Sequence, residues 1–194
     1  MNVFFEEDGA FKAGTVLNGI FSHQDWMATF LAAAGEPNIK EKLLEGHKVG
    51  AKTFKVHLDG FNMLPYLKGE VKESPRTSFF YISDDGDILA IRMQDWKVVL
   101  MEQRAKQLLC WVEPFVKLRA PKLFNLRRDP FEKAQHNSNT YNDWFLERPF
   151  VIVPIQGLAA KFLMTMKDYP PSQTPGAFNL SKIEEQLKNA SGSK

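Results

Sequence analysis

Cysteine is nearly absent. Cys110 stands alone among 194 residues, so neither an intrachain disulfide nor a cysteine-rich zinc site can form. Histidine is scarce as well, and His23, His47, His57 and His136 show no His-x-x-x-His pair or other recognised metal spacing. The glycines assemble no phosphate-binding loop, and a Gly-x-Ser-x-Gly elbow is missing. Charge of one sign is not concentrated anywhere: the formal net charge is +2, and Arg127-Arg128 is followed at once by Asp129. That excludes the basic stripe of a dedicated nucleic-acid surface. Met1 to Gly9 holds no positive segment followed by an apolar stretch, so no signal peptide is expected there. Phe150 to Met166 is interrupted by Pro154, Gln156, Gly157 and Lys161 and falls short of the ~20 apolar residues of a membrane span, so it reads as a buried helix.

What is present is a soluble globular mix, with 44% hydrophobic and 25% charged residues. The length suits one ordinary domain or a piece of a larger one. Sixteen Phe and four Trp give the core much aromatic area to bury. Ser22 to Gly35 is the clearest helix: Ser22 and Asp25 resemble a capping box, and Gly35 with Pro37 ends it. Trp26, Phe30 and Ala34 recur every four residues and predict its apolar face. Lys40 to Lys52 is polar and reads as a surface excursion. Phe54 to Leu58 alternates like a strand entering the Asp59-Gly60 turn. Asn62 to Leu67 reads as a short helix with Pro65 in its first turn and Gly69 at its end.

The middle reads as a sheet. Phe79 to Ile82 and Ile88 to Ile91 flank Asp84-Asp85-Gly86-Asp87, a strong hairpin signal because glycine accepts the positive φ of such turns. Trp96 to Met101 follows as a third strand, with Leu108 to Val112 and Lys122 to Leu126 as further ones. Short connections favour an antiparallel meander. Asn139 to Leu146 and Pro154 to Lys167 read as helices, the latter with Leu158, Phe162 and Met166 on one face. Pro170 to Gly176 is a linker, and Ser181 to Leu187 a last helix with Ser181 and Glu184 as its capping box. A short strand and loop are expected within Met1 to Asn18.

Catalytic candidates are few. Cys110, flanked by Leu109, Trp111 and Val112, reads as an inert thiol in an apolar strand. Asp84-Asp85-Gly86-Asp87 resembles part of a calcium loop, but placing Gly86 at the sixth position puts Tyr81 first and Arg92 last, where carboxylates are required. A hairpin turn accounts for the same residues.

Several segments, in order, resemble the late part of bacterial arylsulfatases of the alkaline-phosphatase-like superfamily. They are Phe21-Ser22-His23-Gln24-Asp25-Trp26 running into Leu31-Ala32-Ala33-Ala34-Gly35-Glu36-Pro37, and then Lys52 to Asn62. Leu64-Pro65-Tyr66-Leu67 with Gly69, Ser74-Pro75-Arg76, Phe79 to Asp87, Trp96-Lys97 and Pro121 to Leu126 before Asp129-Pro130 continue the series. Each is weak alone; order and spacing make the set specific across roughly Lys12 to Leu187.

The resemblance implies an α+β fold: a small antiparallel sheet with packed helices, the carboxyl-terminal subdomain of an alkaline-phosphatase-like α/β sulfatase. Residues 1–52 would be a remnant of the large domain with one capped helix. Residues 53–169 would form the sheet subdomain, and 170–194 a linker and terminal helix. In the family a formylglycine made from a Cys-x-Pro/Ala-Ser-x-Arg motif attacks sulfur, beside a divalent cation, usually calcium, and cationic side chains, which suit the charge that develops. Cys110 is followed by Trp111-Val112-Glu113-Pro114, which does not match that motif. Glu6-Glu7-Asp8-Gly9 stands where the family's Trp-Pro-Gly turn would fall. No catalytic, cofactor-binding or metal residue is therefore carried over to this chain. The expectation is a sulfatase portion without activity of its own. The alternatives are a non-enzymatic interaction or assembly module, with Trp26, Phe30, Phe150 and Phe162 as contacts, and one half of a split sulfatase paired with a missing amino-terminal half. Family members are commonly periplasmic or secreted; the compartment of this chain is left open.

Overall fold

The computed structural model describes residue 11 and residues 14–170. The strand and loop expected near the amino terminus fall largely outside the described residues, as do all but the first residue of the Pro170 to Gly176 linker and the helix at Ser181 to Leu187.

Helix α1 (Asp25–Ala33) ends as its sequence dictates. Gly35 takes φ +96°, its amide donates to the Ala32 carbonyl at 3.1 Å, and the Glu36 amide donates to Leu31 at 2.7 Å. Those paired bonds are a Schellman ending. The start meets expectation only in half: the Ser22 amide donates to the Asp25 carboxylate at 2.8 Å, the return bond of a capping box, but no side chain caps the first-turn amides and the helix begins three residues after Ser22. The buried face differs too. Asp25, Ala28 and Thr29 point inward, whereas Phe30 is 54% exposed and Ala34 is exposed. The physical reason is the layer beneath: a buried ion pair and a second helix lie on the Asp25 side. On the other side Trp26 meets Phe21 in a tilted contact (4.5 Å) and stacks on Phe30 (5.2 Å).

Lys40 to Lys52 is not a surface excursion. It holds most of α2 (Ile39–Glu45) and β1 (His47–Val49). Ile39 and Leu43, four residues apart, give α2 one inward face against Ala28, while Glu41 and Lys42 between them meet water. β2 (Lys52–Phe54) closes a hairpin with β1 in which His47 pairs Phe54. The strand expected over Phe54 to Leu58 therefore stops at its first residue. There the chain turns to follow α2, and the Val56 amide donates to the Leu43 carbonyl at 3.0 Å. Helix α3 (Leu64–Leu67) has Pro65 in its first turn and Gly69 at φ +76° beyond its end, as read.

Four strands, β3 (Ser78–Ile82), β4 (Ile88–Met93), β5 (Trp96–Glu102) and β6 (Val116–Asn125), form an antiparallel meander in chain order. Gly86 at φ +86° makes the first hairpin turn, with the Ser83 hydroxyl accepting from the Asp85 and Asp87 amides. No strand forms at Leu108 to Val112. Gln107 takes φ +57°, and Gln107–Trp111 winds into a 3-10 turn with Leu108 81% and Trp111 85% exposed. The β5–β6 register slips between Val99 and Met101, so Val116 pairs Glu102 and the intervening chain loops out. β6 is an edge strand, which accommodates Pro121.

Helices α4 (Ala134–Asn137), α5 (Tyr141–Leu146) and α6 (Ile152–Asp168) follow. Ile91, Val98, Leu123, Val151 and Ile155 form the main core, flanked by Phe80, Trp144 and Leu158. Burying each such aliphatic side chain contributes about 1.5–3 kcal/mol. Tyr141 ties α5 to β6: its hydroxyl accepts from the Leu123 amide and donates to the Leu123 carbonyl, both at 3.0 Å. Helix α6 lays Ile155, Leu158 and Phe162 on the sheet, with Phe162 stacked on Phe80 at 4.2 Å. It is not the buried helix expected. Val153, Leu163 and Met164 are more than half exposed on its outer side. Pro149–Asp168 is a 20-residue helical stretch with an 18-residue window of mean hydropathy 1.5, long and apolar enough by composition to cross a membrane, yet its inner face belongs to the sheet.

On β5, Glu102 accepts from Lys122 and, at 2.8 Å, from Arg104 Nε. Hydrogen bonds from Lys122 and then Arg104 hold its carboxyl below the ordinary glutamate range. A folded-state pKa below the unfolded value stabilises above the latter, about 4.3, and is lost as pH falls through the former. Glu102→Gln is therefore expected to cost at most about 1 kcal/mol at pH 7. Urea titrations of both proteins should show that difference shrinking below about pH 4.

Candidate functional site

The expected inert thiol is not where the sequence suggested. Cys110 lies in the exposed 3-10 turn, its Sγ 3.3 Å from the Ala105 carbonyl, rather than in an apolar strand. The histidines are dispersed: His57 Nδ1 lies 3.0 Å from Asp59 Oδ1, and His136 contacts Gln135. Asp84, Asp85 and Asp87 stand in the β3–β4 turn. Among the described residues no three His, Cys, Asp or Glu side chains gather as metal ligands.

What the fold does bring together is a polar junction between α1, the chain at 57–63 and β3. Its centre is Asp25, fully buried, paired with Arg76, which is 4% exposed. The contact is bidentate, with Arg76 Nε donating to Oδ2 at 2.7 Å and Nη2 donating to Oδ1. Asp25 also accepts from the Ser22 and Phe61 amides, each at 2.8 Å. Arg76 completes its donors on the carbonyls of Asp59 (3.0 Å) and Ser78 (3.2 Å) and lies 4.8 Å from the Phe61 ring centroid. Thr29 extends the network by donating to the Asp25 carbonyl at 2.7 Å and accepting from the Met63 amide at 3.0 Å. Every polar atom of the pair is thereby satisfied, which a buried charge requires. Gly60 allows the close approach: a Cβ there would sit 2.2 Å from the Gln24 carbonyl oxygen.

Beside this junction opens a cavity of about 340 Å³, walled by α2, the 57–61 segment, β3 and α6. Phe61, Phe80, Ile82, Leu158 and Phe162 supply its apolar wall, and Lys40, His57, Asp59 and Lys161 its polar groups. Lys40 is half-buried. Its ammonium lies 4.3 Å from the Phe61 centroid and has no hydrogen bond or ion pair among the described residues. Burial holds its pKa below the ordinary lysine value; Arg76 adds to that, while Asp59, Glu41 and Asp25 oppose it. Sequence reasoning missed both features. Arg76 carried one signal, its place in the Ser74-Pro75-Arg76 segment, whereas Lys40 carried none.

No protein-family model matches the chain, and no curated protein matches it. Among solved structures it is similar to the PsFucS1 sulfatase from Pseudoalteromonas sp., with a TM-score of 0.59 and 21% identity. The likeness covers 85% of this chain and 30% of that one. The helices and small antiparallel sheet thus have the fold of part of a sulfatase. The chain spans under a third of that sulfatase's length.

Proposed function

We propose that this chain is the carboxyl-terminal portion of an arylsulfatase-type sulfuric ester hydrolase and that it does not hydrolyse sulfate esters on its own. The observation that carries the reading is the sulfatase fold over 85% of the chain, taken with the ordered segments that resemble arylsulfatases. The family's calcium and formylglycine are not carried over to this chain. The described residues do not fit them: no acidic ligand set gathers, and Cys110 lies in an exposed turn without the modification motif. Incubating the purified chain with 4-nitrophenyl sulfate and calcium is expected to give no nitrophenol above a heat-treated control. Turnover would sink the reading.

A second reading, a module that assembles with a separate amino-terminal sulfatase half or with itself, is supported by exposed apolar surface. Leu108, Trp111, Phe150 and Met164 are 66–85% exposed. Light scattering on a size-exclusion column, with and without such a half, tests it. A monomer in both runs would count against assembly.

A further inference from the structure

An ammonium half-buried against an aromatic ring has lost part of its hydration, and a cation–π contact offsets only part of that cost. Lys40 is in that position, 4.3 Å from the Phe61 centroid. Loss of water favours its neutral amine, and Arg76 acts in the same direction, while Asp59, Glu41 and Asp25 oppose them. The balance holds the Lys40 pKa below the ordinary lysine value. Around the amine, Phe61, Phe80, Leu158 and Phe162 wall a cavity of about 340 Å³, at the small end of ligand-sized cavities. His57, with Nδ1 3.0 Å from Asp59 Oδ1, lines the same cavity. A desolvated amine, an apolar wall and an imidazole–carboxylate pair are the parts that imine formation uses.

We propose that Lys40 is the amine of a carbonyl-binding site, which takes a small, neutral aromatic aldehyde into this cavity and holds it as an imine. The lone pair of the neutral amine attacks the carbonyl carbon, so that a C–N bond forms and the carbonyl becomes a carbinolamine. His57 relays the two nitrogen protons to the carbonyl oxygen, the C–O bond breaks, and water leaves as the C=N bond forms. Nothing is oxidised or reduced, and water is the sole by-product. The rings of Phe61, Phe80 and Phe162 cover the aromatic body. The site needs neither formylglycine nor a sulfate ester, so it stands or falls independently of the sulfatase reading.

The test is reductive trapping on the full chain, with benzaldehyde and cyanoborohydride at pH 7 and the labelled lysines located by peptide mass mapping over time. Lys40 is expected to be benzylated about tenfold faster than the exposed Lys68 and Lys106, the gain from taking about 60 Å² of ring surface out of water. Its rate should level off as benzaldehyde is raised and the site fills. Glycolaldehyde, which has no ring, should lose most of that preference, and concentrated urea should abolish it. Without the reductant, imine formation read by ultraviolet absorbance should be absent in Lys40→Arg. It should slow about a hundredfold in His57→Asn, the low end for general acid–base catalysis. Labelling of Lys40 no faster than of Lys68, a preference that survives in urea, or an equal preference with glycolaldehyde would each overturn the proposal. An unchanged rate in a folded His57→Asn protein would overturn the proton relay assigned to His57.

Discussion

Replacing Asp25 by Ala is expected to destabilise the fold by about 3–5 kcal/mol, because it strands a buried guanidinium. Arg76 would keep its bonds to the Asp59 and Ser78 carbonyls, the Gln24 side-chain amide 2.8 Å from its Nη atoms and its place beside Phe61, at 4% exposure. The Ser22 and Phe61 amides would lose their acceptor in the same step. Since single domains are stable by only about 5–15 kcal/mol, this one change should bring the chain close to unfolding at room temperature. Urea unfolding followed by Trp fluorescence measures it. The double variant Asp25→Ala with Arg76→Met removes both charges and should recover part of the loss. A single-variant loss below about 1 kcal/mol would mean that water reaches Arg76 and the pair is not the keystone of the junction.

Gly60→Ala is expected to cost about 3 kcal/mol or more, at the upper end of overpacking effects. The added methyl would lie 2.2 Å from the Gln24 carbonyl oxygen and 3.1 Å from its carbon, so backbone rather than a flexible side chain must give way. That backbone leads directly into Asp25, whose carboxylate is fixed by four donors. Separating the segments would therefore stretch the ion pair, and the two substitutions should be less than additive when combined. The midpoint of urea unfolding should fall with an unchanged slope. A shift worth under 1 kcal/mol would show that the 57–61 segment yields freely.

Much of the sheet was legible because its signals are local. Asp84-Asp85-Gly86-Asp87 specifies a tight turn by residue type, the flanking aromatic and aliphatic runs favour extended chain, and β3 and β4 form where read. Gly35 and Gly69 end helices by a conformational property that glycine carries anywhere. Helix α2 was not legible, since three apolar residues among charges look like a solvated loop until Ala28 presents a surface to Ile39 and Leu43. Leu108 to Val112 shows the converse. An apolar run reads as a strand, but a positive φ at Gln107 and the register slip in β5 turn it outward, and neither has a residue signature. The cavity beside Lys40 was invisible because its walls come from five separate stretches of chain.

Asp25 shows where the boundary runs. By itself the sequence determined that a carboxylate stands three residues after Ser22 at the start of a helix, and that the chain contains a hairpin, a meander and turns ended by glycine. These follow from side-chain chemistry acting over a few residues. Only the tertiary structure decided that the carboxylate serves an arginine 51 positions away, that α1 buries its Asp25 face rather than its Trp26 face, and that Lys40 lies half-buried beside Phe61. Those outcomes depend on which surfaces meet once the chain has folded, and a buried charge selects its partner by distance and desolvation, not by spacing in sequence.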